Sequence, residues 1–216
     1  WPMLAPYHDY VARCGQMLRQ GVSVSDILYL TPEGAPHIFL PPEDAMLGEG
    51  LLREKKGHGF DAVSPGILLA RAKAKDGCVV FAEGSSYRVL VLPLVATMTA
   101  ELLAKIEELV RAGVTVIGVP PVKSPSLTGY PKCDEEVGAL AQKLWGGREV
   151  PAQITERRYR KGRIMWGGES TVPASADKLY PSYASTVALL QKWKIPSVFA
   201  SSAPVRWLAV FARSAE

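Results

Sequence analysis

The segment RVLVLPLVATMTAELLAKIEELVRAGVTVIG, Arg88 to Gly118, leaves few folds open to this chain. Val89–Leu92 and Val114–Val119 are short runs that are apolar at nearly every position, as expected of strands covered on both faces. Between them Leu102, Leu103, Ile106, Leu109 and Val110 recur on one helical face, while Glu101 and Lys105 are spaced to pair on the wet face. Thr99 is positioned to cap this helix and Gly113 to end it. Two such strands joined by one helix make a parallel pair with a right-handed crossover.

The rest of the chain continues the alternation. A first helix is predicted from Tyr7 to Gln20, with Val11, Cys14, Met17 and Leu18 at helical spacing and Gly21 as its C-cap. Ser25–Leu30 reads as a buried strand. Thr31 to Gly59 reads as a long surface excursion rich in Pro and Gly, and loops of that length are usually functional or disordered. Ser64 is the predicted N-cap of a short helix with Pro65 in its first position, and Asp61 is assigned to capping that same helix. Cys78–Phe81 is a short strand. Asp134 is assigned as the cap of a helix that buries Val137, Leu140, Ala141 and Leu144, and Gly146–Gly147 stop it. A turn at Lys161–Gly162 feeds a strand, Arg163–Trp166, and Ser182 to Lys194 is the final helix. Strands alternating with helices imply an α/β domain of three layers around a mostly parallel sheet.

Composition excludes several classes. The 216 residues are 48% hydrophobic, which is enough for a buried core. The longest apolar run, VLVLPLVATM, is interrupted by Pro93 and is about half of the roughly 20 residues that cross a membrane. The net charge of +4 is mild, and the one basic run, ERRYRKGR (Glu156–Arg163), reads as a solvated hairpin, so no nucleic-acid partner is expected. Cys14, Cys78 and Cys133 lack CxxC spacing, so they are read as small, partly buried hydrophobes and no metal site is expected. The start, WPMLAPYHDY, has neither an initiator Met nor a signal-peptide pattern, which reads as a piece of a longer chain.

In α/β folds reactive groups gather at the carboxyl ends of strands. After Leu92 comes PLVATMT, with no glycine cradle, lysine or nucleophile; after Val119 comes PPVKSPSLTGYP. A nucleophile elbow needs small residues around a Ser or Cys, and Pro120, Pro121 and Val122 do not fit that turn. GxGxxG and GxxxxGK[ST] are both missing, so no nucleotide cofactor is expected. His8, His37 and His58 share no ligand-like spacing and read as solvated. The candidates for a carboxylate pair in glycoside cleavage are Asp26, Glu33, Asp61, Glu43–Asp44 and Glu107–Glu108. Glu107 and Glu108 read as solvated, and Glu33 alone follows a strand's carboxyl end. Glu33, Ser124 and Tyr130 are left as binding candidates, and no catalytic residue is expected. Trp145, closing a helix, reads as core.

Four stretches carry a family likeness: YHDYVARCGQMLRQGVSVSDILYLTPEG, GFDAVSPG through VPPVKSPSL, DEEVGALAQKLWGG and YRKGRIMWGG. In this order they resemble the α-L-rhamnosidase-type glycoside hydrolases of family 106, in the part that follows the catalytic barrel. The resemblance implies a flavodoxin-like domain similar to class I glutamine amidotransferases that has lost its nucleophile, spanning residues 1–203. It also implies that the acid and base carboxylates belong to an upstream barrel, and that 204–216 enter a following β-rich domain. The implied partners are those two domains. Within the apolar tail segment VRWLAVFARS, Arg206–Arg213 are expected to pair with the nearest strand of this domain, or with the same segment of a second copy in a homo-oligomer. Two further readings stay open: an independent amidase with an atypical nucleophile, and a carbohydrate-binding module.

Overall fold

The computed structural model describes residues 4–34, 38–47, 54–55, 57–173, 178–197 and 212–213. Its centre is a six-stranded sheet of β1 (Ile27–Leu30), β2 (Phe60–Val63), β3 (Val89–Val91), β4 (Thr115–Ile117), β5 (Thr155–Tyr159) and β6 (Gly162–Trp166). The spatial order is β5-β6-β4-β3-β1-β2. All neighbours are parallel except β5, which forms an antiparallel hairpin with β6 at the edge. The parallel strands alone therefore run second, first, third, fourth, fifth, which is the flavodoxin-like order. β3 and β4 lie side by side and in parallel, as their sequence requires.

Alternation along each strand builds two cores. Leu28, Leu30, Leu90, Val116 and Ile164 join one apolar cluster, and Ile27, Tyr29, Val89, Ile117 and Met165 join the other. Successive side chains point to opposite faces of a strand, so a run with no polar residue needs cover on both sides. The first face receives helices α2 (Pro65–Arg71), α3 (Ala100–Ala112) and α4 (Lys132–Trp145). The second receives α5 (Tyr183–Lys192) and an aromatic group in which Tyr29, Phe39, Phe60, Tyr180 and Tyr183 meet largely edge to face. The result is three layers.

Capping follows the sequence at three helices. Ser64, Thr99 and Ser182 each accept a backbone N–H of the first turn, from Ile67, Leu102 and Ser185. Other local assignments are corrected. Asp61 does not cap α2: it lies in β2 opposite Leu28, and its Oδ2 accepts the Tyr87 hydroxyl at 3.1 Å. FDAV was missed as a strand because Asp61 breaks its apolar pattern. Asp134 does not cap α4, whose N-cap is Pro131; its carboxylate accepts the Ser124 N–H at 2.8 Å. Lys105 pairs with Glu108 rather than Glu101. Glu107 is buried rather than solvated, accepting the Tyr159 hydroxyl at 2.6 Å and facing Lys143 at 3.1 Å. Leu140 is only partly buried, while Val137, Ala141 and Leu144 are core.

Three regions stand apart from the sheet. Cys78–Val80 belongs to a separate three-stranded antiparallel sheet with Lys73–Lys75 and Ser86–Tyr87. The excursion after β1 is not wholly irregular. It carries a 3-10 turn at Glu43–Ala45 and two short paired strands, Met46–Leu47 and Glu54–Lys55, and Asp44 receives the Tyr183 and Ala184 N–H groups at the start of α5. The first helix, α1 (Leu4–Leu18), forms three residues earlier than predicted and buries no residue, with Met17 74% exposed. Of the tail, Ala212–Arg213 pair antiparallel with Val22–Ser23, so the expected pairing with this domain is seen at those two residues. The rest of VRWLAVFARS lies outside the described residues.

Candidate functional site

The carboxyl ends of the strands, where an α/β enzyme keeps its chemistry, are tied into the scaffold. Glu33, just past β1, spends both carboxylate oxygens on the start of α3, accepting Thr99 N–H and Thr99 Oγ1 at 2.6 Å each. A carboxylate there satisfies open donors and complements the helix dipole. Past β4, Gly118 has no room for a side chain, since a Cβ would lie 2.5 Å from Leu92 Cβ. Its carbonyl accepts the Trp145 indole N–H at 2.9 Å, and Trp145 is 2% exposed, which is core and no sugar platform. The loop beyond is stitched to the one after β3: Met98 N–H donates to Lys123 and Val122 N–H to Ala96. Leu94 N–H and the Tyr180 hydroxyl close the rim further, donating to the carbonyls of Leu179 and Leu30. The cavity lined by Pro32, Phe39, Leu179 and Tyr180 holds only about 50 Å3, room for little more than water.

The three binding candidates fall on this rim or beyond it. Glu33 and Ser124 flank the Thr97–Thr99 segment, Glu33 through Thr99 and Ser124 next to Lys123, which bridges Thr97. Ser124 is itself held by Asp134 and accepts the Ser126 N–H. Tyr130 stands 65% exposed on the loop leading to α4.

The opposite end of the sheet is open. His58 precedes β2 and Asp26 precedes β1, and the parallel pairing of these strands sets the two side by side. Gly59 permits the approach: a Cβ there would lie 2.7 Å from the Val24 carbonyl oxygen, and the Gly59 carbonyl accepts the N–H groups of Asp26 and Ile27. His58 Nδ1 lies 2.7 Å from Asp26 Oδ2, and the residues are 2% and 8% exposed, so the solvated reading of His58 is corrected. The Tyr183 hydroxyl accepts the His58 N–H at 2.8 Å and donates to the His58 carbonyl at 3.0 Å. Burial is the main reason that this hydroxyl is pushed up to about 12.

A carboxylate at Asp26 accepts from His58 Nδ1, which leaves Nε2 as the ring nitrogen that Asp26 does not engage. That nitrogen has no partner among the described residues. His58 borders a cleft of about 460 Å3 that is also lined by the buried Tyr183, the half-buried Val187 and Ile195, and the exposed Gln191 and Lys194. An oriented imidazole of this kind can accept a proton or a hydroxyl hydrogen bond. Neither Cys78 nor Cys133 joins it: their sulfurs contact Asp76 O and Ser126 O instead. Among the described residues, no group of three or more His, Cys, Asp or Glu is placed to hold a metal ion. Sequence reading missed this site because its partners lie 32 and 125 residues from His58. The one local signal is Asp26, a charged residue immediately before the apolar strand β1.

Residues 1–190 match the family model described as alpha-L-rhamnosidase, glycoside hydrolase family 106. The chain belongs to this family. It is 39% identical over 166 residues, 76% of its length, to a Formosa agariphila protein named "Putative beta-glucuronidase", of which the match covers 13%. Its fold resembles that of the rhamnosidase from Novosphingobium sp. PP1Y, with a TM-score of 0.64 and 23% identity over 90% of this chain and 16% of that one. The family 106 chain described here thus spans a small part of the length of the relatives it matches.

Proposed function

We propose that this chain is a non-catalytic, amidotransferase-like module of an α-L-rhamnosidase-type glycoside hydrolase, shaping a substrate cleft or a contact between domains. The observation that carries the reading is the sealed carboxyl rim. Glu33 is committed to α3, Gly118 leaves no space where an elbow would stand, and the loops that follow are bonded to each other. Glycoside hydrolysis by acid and base needs two carboxyl groups facing each other across a substrate, and that role falls to an upstream barrel. The uncovered face of α1, with Tyr7, Tyr10 and Met17 all strongly exposed, offers apolar area for contact with a neighbouring domain of the hydrolase.

The purified chain is therefore expected to turn over neither aryl α-L-rhamnosides nor aryl β-glucuronides. Reproducible turnover that disappears when a single Asp or Glu is changed overturns the proposal. A second reading, an amidase with an atypical nucleophile, has an oriented imidazole in the Asp26–His58 pair but no bond from it to Cys78 or Cys133. Glutaminase activity lost in one of Cys14→Ala, Cys78→Ala or Cys133→Ala would establish it.

A further inference from the structure

We infer that the cleft beside His58 binds a saccharide unit that carries a carboxylate. The inference rests on the glycoside hydrolase reading for the class of ligand, and on the cleft itself for the chemistry. His58 is nine-tenths buried or more, is bonded to Asp26 through Nδ1, has no partner for Nε2 among the described residues, and lines a cavity. A ring nitrogen on the wall of a cleft is open to a hydrogen-bond partner from outside the chain. A sugar hydroxyl is a donor of the right kind.

The rest of the lining sets the class. The cavity of about 460 Å3 lies within the roughly 300–1,000 Å3 of small-molecule sites. Val187, Ile195 and Pro196 give it an aliphatic wall that suits the C–H face of a pyranose. Gln191 adds a donor and an acceptor at the mouth, for hydroxyls away from His58. Lys194 lies on the same mouth, is exposed, and has no ion pair among the described residues. An unpaired ammonium beside a hydroxyl acceptor matches a ring that bears both hydroxyls and one carboxylate. A neutral apolar ligand would leave Nε2 and Lys194 unanswered, and a simple carboxylate would leave the wall and Nε2 unused.

Titrating the 216-residue chain with D-glucuronate, D-glucose and acetate tests this, with calorimetry for affinity and nitrogen NMR for the His58 ring. D-Glucuronate is expected to saturate with a dissociation constant on the order of 1 mM and to move the Nε2 resonance. Lys194→Ala should weaken D-glucuronate about fivefold, the size of one exposed charge pair, and leave D-glucose unchanged. Val187→Trp, which fills the cleft from its wall, should abolish saturable binding while the far-ultraviolet circular dichroism stays the same. Absence of a saturable shift with D-glucuronate overturns the inference. So does acetate binding as tightly as D-glucuronate, or unchanged affinity in both variants. Turnover of a glycoside would overturn the non-catalytic proposal alone, and lack of binding without turnover would overturn this inference alone.

Discussion

The two ends of one sheet have been given opposite treatments. At the carboxyl ends of β1, β3 and β4, Glu33, Gly118 and the loops after β3 and β4 are bonded into the scaffold, and a cavity beside Tyr180 holds about 50 Å3. At the amino ends of β1 and β2 a buried, oriented imidazole borders about 460 Å3 of open space. A fold that ordinarily does chemistry at the first end is here internally bonded at the first end and carries a larger cleft at the second. The difference between the two ends lies in side chains and not in the fold they share.

If the carboxyl rim is truly scaffold, damaging it should cost stability. Gly118→Ala is the severest test, because the new methyl meets the buried Leu92 at its Cβ rather than at a movable tip. A loss of about 3 kcal/mol is expected, lowering the melting temperature by about 9 °C. A variant that melts like the parent would mean that this rim yields easily and has no claim to rigidity. Glu33→Gln comes next. It keeps the shape but replaces two charge-assisted bonds at the start of α3 with weaker ones, for an expected loss of about 2 kcal/mol in urea unfolding. No change in the unfolding midpoint would return Glu33 to the pool of residues free for ligand binding.

How much of this was legible in the sequence differs between the two ends. The β3–α3–β4 unit was, because Val89–Val91 and Thr115–Ile117 are apolar on both faces and α3 carries one clean stripe. The missing elbow was legible too, since Pro120 and Pro121 exclude it on residue type alone. β2 was not, since Asp61 interrupts four residues that are otherwise apolar and its partner is the distant Tyr87. The His58 site was not either: its burial is produced by Asp26 and Tyr183, and no local pattern encodes their convergence. For α1 the helix was readable and its exposure was not, because spacing fixes a face and says nothing of what covers it.

The amino end should be less sensitive than the rim. Asp26→Asn preserves the volume and can still accept from Nδ1–H, so it weakens the pair without emptying the site. The expected loss is about 1.5 kcal/mol by urea unfolding, smaller than either rim variant. The ring should also lose its fixed tautomer, seen as an altered pattern of the two imidazole nitrogen resonances. A single unchanged Nδ1–H form would show that Asp26 does not orient His58, and the contrast between the two ends would then rest on the cavities alone.

The smallest effect is expected away from both ends, at Glu107 on α3, and it serves as the control for ordinary ion pairing. Burial acts to raise this carboxyl, but the Tyr159 hydroxyl bond, the Lys143 bond and charge, and Arg111 together outweigh it, so the net direction is below the usual 4.5. A depressed carboxyl contributes stability that is fully present above its ordinary value and is lost as pH falls through the lower, folded one. Lys143 shifts upward, chiefly through its bond to Glu107, so its share persists through neutral pH and is lost only in strong alkali. Glu107→Gln should therefore cost about 1 kcal/mol at pH 7, and the gap from the parent should close as pH drops below about 4. Urea unfolding midpoints measured for both proteins across that range provide the check. A gap that stays constant with pH would assign the loss to packing against Tyr159 rather than to charge, and would remove the electrostatic baseline against which the Asp26–His58 pair is judged.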